Sequence, residues 1–553
     1  MLTFPAYHSR FPADKWVLPL ILEHQARTIP AKPFLSYTDE GKPLSFAETN
    51  REVNRLAHGL AALGIKKGDM VGLFLPNCAE YVLTWFALTK LGAVEVAICD
   101  VYKGTFLAHP INLAAAKMVV TNAEMVGALA EIEDSIPTVE HVVVIGDTNA
   151  LSLKRITASR FADLPSLVDS NPGIEVSPRD LAAVLLTSGT TGPSKGVMMP
   201  HSQFYFFAEE DIQIFGLTGE DVYMTGFPLF HGNAQFLTVY PCLIVGAHCV
   251  LYPRFSASEF IGRARRSGAT VTNLLGATMA FLLAQPRAEG EREHRLRTIY
   301  AAPLSPDLAE PFTERFGVTN FVDGFGQTEI SMPFLTPPGA IRPSGASGVL
   351  NAQWFDVRLA DPDTGAEAPI GQPGELLVRN RADGIMSSGY IGMAEKTVEA
   401  WRDLWFHTGD LLRRDEDGWY YFVGRLKDAL RRRGENISAF EVESVIRGHD
   451  AVAECAVVGV RADQKGGEDE VKACIVLIEN ASFDAEDLIR WCEKRIPAFM
   501  IPRYVEVYDG LPKTPSEKIK KHELRDAGVT PATWDRVAAG VLLSDERKPR
   551  FAS

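Results

Sequence analysis

The sequence predicts an α/β protein with a large N-terminal domain of several subdomains and a small α+β C-terminal domain. Segments with helical periodicity alternate with short apolar runs, which is typical of largely parallel sheets covered by helices. The chain has 553 residues, more than a single hydrophobic core usually supports. From Gly365 to Val378 the pattern changes to short runs separated by Gly and Pro, which indicates a β-rich part of the large domain.

Four helices are marked by the residues at their ends. Ser45 and Glu48 form a capping-box pattern, in which each side chain accepts a hydrogen bond from the other residue's backbone. Three further helices are bracketed by a similar polar pair and a closing glycine. These sets are Asn77 with Glu80 and Gly92, Ser256 with Glu259 and Gly268, and Ser438 with Glu441 and Gly448.

Short apolar or β-branched runs between the helices predict strands. They are Met118–Val120, His141–Ile145, Leu181–Leu186, Thr270–Leu275 and Trp419–Val423. After the last run, a basic stretch and a glycine lead into a smaller α+β unit. We therefore expect an N-terminal domain at residues 1–426 and a C-terminal domain at residues 427–553.

The composition indicates a globular protein and disfavours nucleic-acid-binding and membrane-spanning classes. The chain is 46% hydrophobic and 23% charged, as ordinary globular proteins are. A formal net charge of −14 disfavours a nucleic-acid partner, which a basic surface would attract. The most apolar stretch, Thr238–Tyr252, is too short for a transmembrane helix.

The cysteines and the N-terminal residues indicate where in the cell the protein is located. The seven cysteines are scattered, without a Cys-x-x-Cys pair or metal-ligand spacing, which suits reduced thiols. The first residues, MLTFPAYHSRFPADKW, lack the basic and apolar regions of a secretory signal. We therefore expect a cytoplasmic protein. The sequence is also compatible with a homodimer.

The most informative segment, LLTSGTTGPSKGV, runs from Leu185 to Val197. It ends an apolar run and is rich in glycine, hydroxyl groups and backbone N–H donors, with one lysine, as a polyphosphate site requires. The spacing does not match the loop of P-loop NTPases. A glycine-rich surface turn is the alternative interpretation. A second lysine, Lys518, lies far downstream in LPKTPSEKI, and the two segments together suggest an enzyme that uses ATP.

Further motifs extend this pattern along the chain. In order they are FPLFHGN at 227–233, DGFGQTE at 323–329, GELLVR at 374–379, HTGD at 407–410, GRLKD at 424–428 and GENIS at 434–438. Together the segments resemble the motifs of the adenylate-forming superfamily, which includes acyl- and aryl-CoA synthetases, firefly luciferase and the adenylation domains of peptide synthetases. The downstream half is most similar to crotonobetaine/carnitine-CoA ligases and fatty-acid-CoA ligases.

The resemblance implies the adenylate-forming fold and an ATP-dependent, AMP-forming carboxylate–CoA ligase. Such an enzyme joins a carboxylate to the α-phosphate of ATP, releases pyrophosphate, and transfers the acyl group to the thiol of coenzyme A. The expected small molecules are ATP, Mg²⁺, coenzyme A and a carboxylic acid. Because carboxylate and triphosphate are both anions, the site must supply positive charge where they meet.

The resemblance also implies an ATP/AMP site. Its residues are Thr187, Ser188, Gly189, Thr190, Thr191, Gly192, Lys195, Ala302, Pro303, Gly324, Phe325, Gly326, Gln327, Thr328, Asp410, Arg425 and Lys518. Phe325, where the family more often has tyrosine, would offer a flat face to adenine. Asp410 would accept both ribose hydroxyls through its two oxygens. Arg425 would add a second ribose contact, unless it is an ordinary surface arginine.

Four residues are implied to be catalytic. Lys518 would bridge the carboxylate and the α-phosphate, and Thr328 would donate to that phosphate. Glu329 would hold Mg²⁺, which prefers few carboxylates and many phosphate or water oxygens. His231 would gate or orient the carboxylate. The alternatives are a helix N-terminal carboxylate for Glu329 and a buried structural histidine for His231. Glu517 precedes the lysine where the family usually has glycine.

For the second step, the resemblance implies that the C-terminal domain is a mobile lid that turns about a hinge at Lys427. Gly434 would then lie beside the pantetheine arm of coenzyme A, where a side chain would block it. Arg431 and Arg433 would meet the phosphates of coenzyme A, because arginine is always charged and binds phosphate through two donors.

The acyl pocket is implied to be mostly small or apolar. Its residues are Phe230, His231, Asn233, Gly276, Ala277, Asp323 and Met332. This lining suits an apolar fatty, aryl or carnitine-like acid. Asp323 would either face a cationic substrate or cap a turn, and we favour the turn.

Three other functions remain as alternatives. A stand-alone adenylation enzyme would deliver the acyl-adenylate to a carrier protein, although too few residues follow Lys518 for a carrier domain of its own. A luciferase-like oxidative enzyme would share the fold. A non-catalytic regulator would bind nucleotide or acyl groups, but the catalytic residues are present. Pyrophosphate release and dependence on coenzyme A would separate these functions.

Overall fold

The computed structural model of the protein describes residues 2–147, 153–187, 194–301, 306–362, 364–426, 430–432, 435–437, 439–461, 469–496, 498–514 and 518–543. The first part contains, in chain order, α1 (Leu18–Thr28), β1 (Pro33–Tyr37), β2 (Leu44–Ser45), α2 (Phe46–Ala62), β3 (Met70–Leu73), α3 (Ala79–Leu91), β4 (Val94–Ala97), α4 (Gly104–Leu113), β5 (Met118–Asn122), α5 (Val126–Glu131), β6 (His141–Ile145), β7 (Thr157–Arg160), β8 (Leu181–Thr187) and β9 (Lys195–Pro200).

The next part alternates helices and strands again. It contains α6 (His201–Phe215), β10 (Val222–Thr225), α7 (Gly232–Ala234), α8 (Tyr240–Val245), β11 (His248–Leu251), α9 (Phe260–Ser267), β12 (Val271–Leu274), α10 (Gly276–Leu283), β13 (Thr298–Ala301), α11 (Pro306–Phe316) and β14 (Asn320–Val322). Between α7 and α8 the backbone forms one π-helical turn over Gln235–Val239.

The chain then becomes rich in strands before a mixed C-terminal part. The strand-rich part contains β15 (Gly324–Gln327), β16 (Ser331–Leu335), β17 (Ala346–Leu350), β18 (Phe355–Ala360), β19 (Gly374–Asn380), α12 (Ala394–Ala400), β20 (Phe406–Arg414) and β21 (Trp419–Arg425). The C-terminal part contains β22 (Leu430–Arg432), β23 (Glu435–Ile437), α13 (Ala439–Arg447), β24 (Val452–Arg461), β25 (Asp469–Leu477), α14 (Ala485–Glu493), β26 (Tyr504–Val507), α15 (Lys521–Asp526) and β27 (Trp534–Asp535).

Three seven-stranded sheets organise the N-terminal part. The first sheet has the order β7-β6-β5-β3-β4-β8-β9 and is parallel except for the β8–β9 hairpin. The second sheet has the order β14-β13-β12-β10-β11-β1-β2 and is parallel except for β1–β2. The third sheet, β15-β16-β17-β21-β20-β19-β18, pairs antiparallel throughout. The α/β fold class is confirmed, as is a β-rich region after the parallel layers.

The C-terminal part is built differently. Its main sheet has the order β24-β25-β26-β27, in which only β25–β26 is a parallel pair. Helices α13 and α14 pack with this sheet in a separate apolar cluster that contains Val442, Val457 and Leu488. This small α+β unit matches the predicted C-terminal domain in kind, whereas the boundary at Lys427 lies outside the described residues.

Helix α6 is the buried link between the sheets of the N-terminal part. Even its consecutive acidic residues Glu209, Glu210 and Asp211 are fully buried. Glu210 Oε2 accepts a hydrogen bond from the backbone N–H of Met332 at 2.9 Å, which ties the helix to β16 of the third sheet. Burial of such carboxylates is costly unless they are hydrogen-bonded or neutral. Burial raises the pKa of both Glu210 and Asp211 well above the usual range.

The predicted helix ends are confirmed in part. The Ser45–Glu48 capping box is present, with Glu48 N–H donating to Ser45 Oγ at 3.2 Å and Ser45 N–H donating to Glu48 Oε2 at 2.9 Å. Gly92 and Gly268 end α3 and α9 in the left-handed conformation, with φ of 63° and 68°. Ser438 lies outside the described residues.

Two predicted N-caps are wrong. Helix α3 begins at Ala79 after Cys78, and no side chain caps it, because the Asn77 amide makes its hydrogen bonds to another loop. Helix α9 begins at Phe260 rather than after Ser256, whose hydroxyl contacts Ser258 instead. In both cases the polar side chain near the helix start bonds another partner, which is distant for Asn77 and two residues away for Ser256.

Within the described residues, the helices are all too short or too polar to cross a membrane.

Candidate active site

The two ends of the glycine-rich segment belong to β8 and β9, an antiparallel pair at the edge of the first sheet. Thr187, the last residue of β8, pairs directly with Lys195, the first residue of β9. Ser188, Gly189, Thr190, Thr191 and Gly192 lie outside the described residues. Next to the turn, the carbonyl of Ser194 accepts a hydrogen bond from His109 Nε2 at 2.8 Å. The two ends of the predicted phosphate loop are therefore held in register.

The lysine of this segment lies close to the predicted magnesium residue. Lys195 Nζ is 4.2 Å from the centre of the Tyr390 ring, a cation–π contact. The hydroxyl of Tyr390 donates to Glu329 Oε1 at 2.9 Å. A single tyrosine thus connects the phosphate loop with the DGFGQTE segment, which the sequence separates by more than a hundred residues.

The turn after β15 presents Thr328 and Glu329. Gln203, from the buried helix α6, donates to the carbonyl of Thr328 at 2.8 Å. A Cβ at Gly326 would lie 2.3 Å from the carbonyl oxygen of Ser331, so this tight turn requires glycine. Ser331 itself has a φ of 60° and its hydroxyl donates to the carbonyl of Ile385 at 2.7 Å. The Thr-Glu pair therefore stands on a closely packed backbone.

Asp410 lies at the centre of a small charged group on the third sheet. It pairs across the β20–β21 ladder with Arg425, whose Nε is 2.7 Å from Asp410 Oδ1. Gln327 Nε2 donates to Asp410 Oδ2 at 2.6 Å. Burial of this carboxyl raises its pKa to about 6, and the positive charge of Arg425 and the Gln327 hydrogen bond oppose that rise.

Phe325 is half-buried in a row of aromatic rings. Its ring is stacked 6.1 Å from that of Phe422, at an interplanar angle of 28°. Phe422 in turn meets Phe440 of α13 edge to face, at 5.9 Å and 78°. Phe440 belongs to the C-terminal α+β unit, so that unit packs directly against the strand that carries Arg425.

His231 occupies a loop between β10 and α7. Its ring centre lies 4.5 Å from that of Phe230. Burial, together with the nearby Lys518 cation, lowers the pKa of His231 to about 4. The histidine is therefore neutral at physiological pH, and Lys518 approaches it from the C-terminal unit.

Lys518 reaches this group from a turn of the C-terminal unit. Lys513 and Ile519 form a bridge, and Lys518 N–H donates to Thr514 Oγ1 at 3.2 Å. Although the residue as a whole is exposed, protein atoms crowd its ammonium, and this burial is the largest effect lowering its pKa. Arg425 also lowers the pKa, whereas the carboxylates of Asp410 and Glu329 raise it.

The neighbouring lysines are held elsewhere. Lys520 Nζ lies 2.8 Å from Glu523 Oε1, and Lys521 Nζ lies 2.7 Å from Glu443 Oε1. Both pairs are within the C-terminal unit. Of the three lysines in this segment, Lys518 is the one that interacts electrostatically with Asp410, Glu329 and His231.

Three further predicted acyl-pocket residues are placed by the structure. Asn233 accepts a hydrogen bond from the amide of Asn273 on β12. Gly276 is the first residue of α10, and Met332 is buried on β16. Of Ala277 the backbone alone is described. Asn233 and Gly276 follow strands β10 and β12 of the second sheet, and Met332 lies on β16 of the third.

Asp323 has structural partners. Its Oδ1 accepts a hydrogen bond from the backbone N–H of Gly324 at 2.8 Å, and Arg342 Nη1 donates to its Oδ2 at 2.7 Å. Burial raises the pKa of Asp323 to about 7, and the Arg342 cation opposes the rise. These contacts agree with our preference for a turn rather than a site for a cation.

Some predicted site residues cannot be placed. Ala302, Pro303, Lys427, Arg433 and Gly434 lie outside the described residues, as does Glu517. Arg431 belongs to the short hairpin of β22 and β23, but the structure describes its backbone alone. The predicted coenzyme A contacts and the hinge therefore stay predictions.

Sequence reasoning did not identify three residues that support the site. Gln203 holds the Thr328 carbonyl, Tyr390 contacts both Lys195 and Glu329, and Arg342 pairs with Asp323. None lies within a motif that we singled out. Gln203 alone carried a signal, because a glutamine on the buried face of an aromatic-rich helix must find a polar partner.

Glu329 is suited to bind a metal ion that is also coordinated by phosphate. Among the described residues, no three His, Cys, Asp or Glu side chains form a group that could hold a metal. Glu329 is a single buried carboxylate with Oε1 bonded to Tyr390. One carboxylate completed by phosphate and water oxygens is a donor set that Mg²⁺ prefers. The site therefore suits magnesium bound to a nucleotide, rather than a metal held by protein groups alone.

Comparison with known proteins identifies both parts of the chain. Residues 22–391 match the family model described as "AMP-binding enzyme", and residues 441–518 match "AMP-binding enzyme C-terminal domain". The chain is 32% identical over 496 residues to a crotonobetaine/carnitine–CoA ligase of Salmonella paratyphi A, covering 88% of this chain and 93% of that protein.

Solved structures of CoA ligases are similar over nearly the whole chain. The anthranilate CoA ligase AuaEII in complex with anthranoyl-AMP has a TM-score of 0.82 and 28% identity, covering 96% of this chain and 99% of that one. ATP-bound MatB from Rhodopseudomonas palustris has a TM-score of 0.80 and 26% identity, covering 93% and 99%. O-succinylbenzoate CoA synthetase of Bacillus subtilis, bound to AMP, has a TM-score of 0.77 and 25% identity, covering 93% and 98%.

The pKa of Asp410 gives a prediction for nucleoside binding. Ribose hydroxyls donate hydrogen bonds, so they favour the ionised carboxylate. Because this pKa is raised to about 6, protonation below that pH weakens binding, by up to tenfold per pH unit. We expect the Kd of adenosine, measured by calorimetry, to rise between pH 7.5 and pH 5. Adenosine is the probe because it carries no phosphate to titrate in this range.

Asp410→Asn is the matched variant. It should bind adenosine about 10- to 100-fold more weakly at pH 7.5, as expected for the loss of hydrogen bonds to a charged group. It should also lose the pH dependence, since the amide does not titrate. Wild-type binding that is constant from pH 7.5 to pH 5 would contradict the assignment of the ribose contact to Asp410.

Proposed function

The chain belongs to the AMP-binding enzyme family and is an ATP-dependent, AMP-forming CoA ligase that works through an acyl-adenylate; for its chemistry we propose the residue roles below. One observation supports these residue roles. The Lys518 ammonium of the C-terminal unit interacts electrostatically with Asp410, Glu329 and Arg425 of the N-terminal part. The C-terminal unit therefore contributes a cation to the nucleotide site of the N-terminal part.

In the first step, a carboxylate oxygen of the acid attacks the α-phosphorus of ATP, and pyrophosphate leaves. Lys518 stabilises the charge that develops between carboxylate and phosphate, and Thr328 donates a hydrogen bond to the same phosphate. Lys195 and the glycine-rich turn bind the leaving pyrophosphate. His231, which is neutral because burial lowers its pKa to about 4, orients the carboxylate without adding charge.

Glu329 holds the magnesium ion that accompanies ATP. Its contact with Tyr390 fixes the carboxylate and leaves phosphate and water to complete the coordination. Bound there, Mg²⁺ neutralises phosphate charge. Asp410 and Arg425 hold the ribose, and Phe325 provides the face on which adenine stacks.

In the second step, the thiolate of coenzyme A attacks the acyl carbonyl and AMP leaves. We propose that residues 1–426 and 427–553 move as two domains about Lys427 between the steps. The contact of Phe440 with Phe422 supports a C-terminal domain that packs against the strand carrying Arg425. Arg431, Arg433 and Gly434 would form the coenzyme A side of the turned domain.

The acyl group is proposed to be uncharged, as in a fatty or aryl acid. The one acidic candidate in the predicted pocket, Asp323, pairs with Arg342 and a backbone N–H, so it has no free charge for a cation. A carnitine-like acid is the second candidate, because the Salmonella relative is named for crotonobetaine and carnitine.

We also propose that the enzyme is cytoplasmic. All seven cysteines are free thiols, which supports a reducing compartment. A homodimer stays an expectation from the sequence, which light scattering of the purified chain would decide.

Substitution of Lys518 tests the first step. Lys518→Ala should lower adenylate formation, measured as pyrophosphate release without coenzyme A, by about 10²- to 10³-fold. Transfer of a supplied acyl-adenylate to coenzyme A should be retained, because the lysine acts in the first step only. Lys520→Ala is the control, since Lys520 is engaged with Glu523. Lys518→Ala with near wild-type pyrophosphate release would refute the role.

A panel of acids tests the substrate class. We expect hexanoate or benzoate to give a kcat/KM at least about tenfold higher than crotonobetaine, since an unmatched buried cation costs more than a tenfold preference requires. Thioester formation and AMP release are measured with each acid. Crotonobetaine as the best substrate would show that the pocket accepts a cation. Adenylate formation without use of coenzyme A would favour a carrier protein.

A further inference from the structure

Asn77 holds the loop that carries His231. It lies between β3 and α3 and is 4% exposed. Its Nδ2 donates to the carbonyl of Phe227 at 2.7 Å and to the carbonyl of Tyr252 at 3.0 Å. Its Oδ1 accepts the backbone N–H of Leu229 at 2.7 Å. The Asn77 amide, which follows β3 of the first sheet, thus binds two loops that follow strands of the second sheet.

The chemistry of these partners specifies an asparagine. Two carbonyls can only accept hydrogen bonds and one N–H can only donate, so the side chain must offer two donors and one acceptor. Aspartate would place an oxygen against the carbonyls of Phe227 and Tyr252, and alanine would leave three buried backbone groups without partners.

Gln235 holds the same loop from the other side. Its Nε2 donates to the carbonyl of Leu229 at 2.7 Å and to Glu95 Oε1 at 2.8 Å. Glu95 is completely buried and also accepts from the hydroxyl of Tyr81 at 2.8 Å. Both the N–H and the C=O of Leu229 are therefore held by buried amides, two residues before His231.

Local hydrogen bonds and a buried side chain also support the loop: Phe227 N–H donates to Thr225 Oγ1 at 3.1 Å, and Leu229 is buried. His231 N–H donates to the carbonyl of Pro228 at 3.0 Å, which closes a turn that is itself supported at Phe227 and Leu229. The nucleotide residues Asp410 and Phe325 stand on the third sheet and share none of these hydrogen bonds. Loosening the loop should move His231 and leave the nucleotide site in place.

We propose that Asn77 is a positioning residue for the carboxylate, acting through the backbone of Leu229 to fix His231. This inference rests on the role that we propose for His231. Because misplacement of a reacting group by about 1 Å can cost about a hundredfold in rate, the effect should fall on the acid and not on ATP.

The experiment compares Asn77→Asp with Asn77→Ala and Gln235→Met, using the best acid from the panel of hexanoate, benzoate, anthranilate and crotonobetaine. We expect kcat/KM for the acid to fall about 10- to 100-fold, with the KM of ATP within about twofold of wild type. Asn54→Ala is the matched control. Asn54 is 3% exposed and donates to the carbonyl of Asp169 at 2.8 Å, away from the loop.

A double-mutant cycle with His231→Ala tests whether Asn77 acts through the histidine. We expect the Asn77→Ala/His231→Ala pair to lose about as much as His231→Ala alone, since coupled residues are not additive. Losses that multiply, or a loss shared equally by the acid and ATP, would overturn the proposal and indicate general destabilisation.

The remaining outcomes are also decisive. If the Asn77 variants do not fold, Gln235→Met carries the same expectation, and unchanged acid kinetics in any folded variant would overturn the inference. If His231→Ala keeps wild-type acid kinetics, the inference falls together with the role of the histidine. Ligase activity itself would persist in that case, so the proposed function would stand apart from this failure.

Discussion

The charged group formed by Lys518, Arg425, Asp410 and Glu329 is the interaction on which the rest of this site depends. It combines two cations and two carboxylates, and one of the cations belongs to the C-terminal unit. A carboxylate and a triphosphate repel each other, so their reaction needs positive charge that is already in place. The Asp410–Arg425 pair anchors the group on adjacent strands, and Lys518 completes it from across the domain border.

Backbone pairing and packed turns position the group. The Asp410–Arg425 pair lies at the end of the antiparallel β20–β21 ladder, which brings the two residues opposite each other. The turn that carries Thr328 and Glu329 is closed around Gly326 and supported by Gln203 from the buried helix α6. Catalytic positioning of this kind depends on supporting residues as much as on the groups that touch substrate.

Buried polar side chains connect the three sheets beneath the site. Glu210 joins α6 to the third sheet, and Asn77 joins the first sheet to loops of the second. Each is buried and hydrogen-bonded, Asn77 to backbone groups and Glu210 to the Met332 N–H and the Asn351 amide, which is the condition under which a polar residue in a core is tolerated. These contacts connect the three sheets around the loops that contain the proposed catalytic residues.

The sequence by itself determined the fold class, the family and most of the residues on which catalysis is proposed to depend. Runs such as His141–Ile145 and the Ser45–Glu48 cap are local, and local periodicity and hydrogen bonding specify them. The motif segments carry residue types that ATP chemistry requires, so they were recognisable one by one. Their order along the chain was itself informative.

Only the tertiary structure decided which partner each polar side chain takes. Asn77 had the pattern of a helix cap, yet its amide serves a loop 150 residues away. Asp323 could have faced a substrate, but Arg342 neutralises it. Tyr390 joins Lys195 to Glu329 without any motif of its own. A hydrogen-bonding group is satisfied by whatever lies within about 3 Å of it, and the chain sets that neighbour only when distant segments pack together.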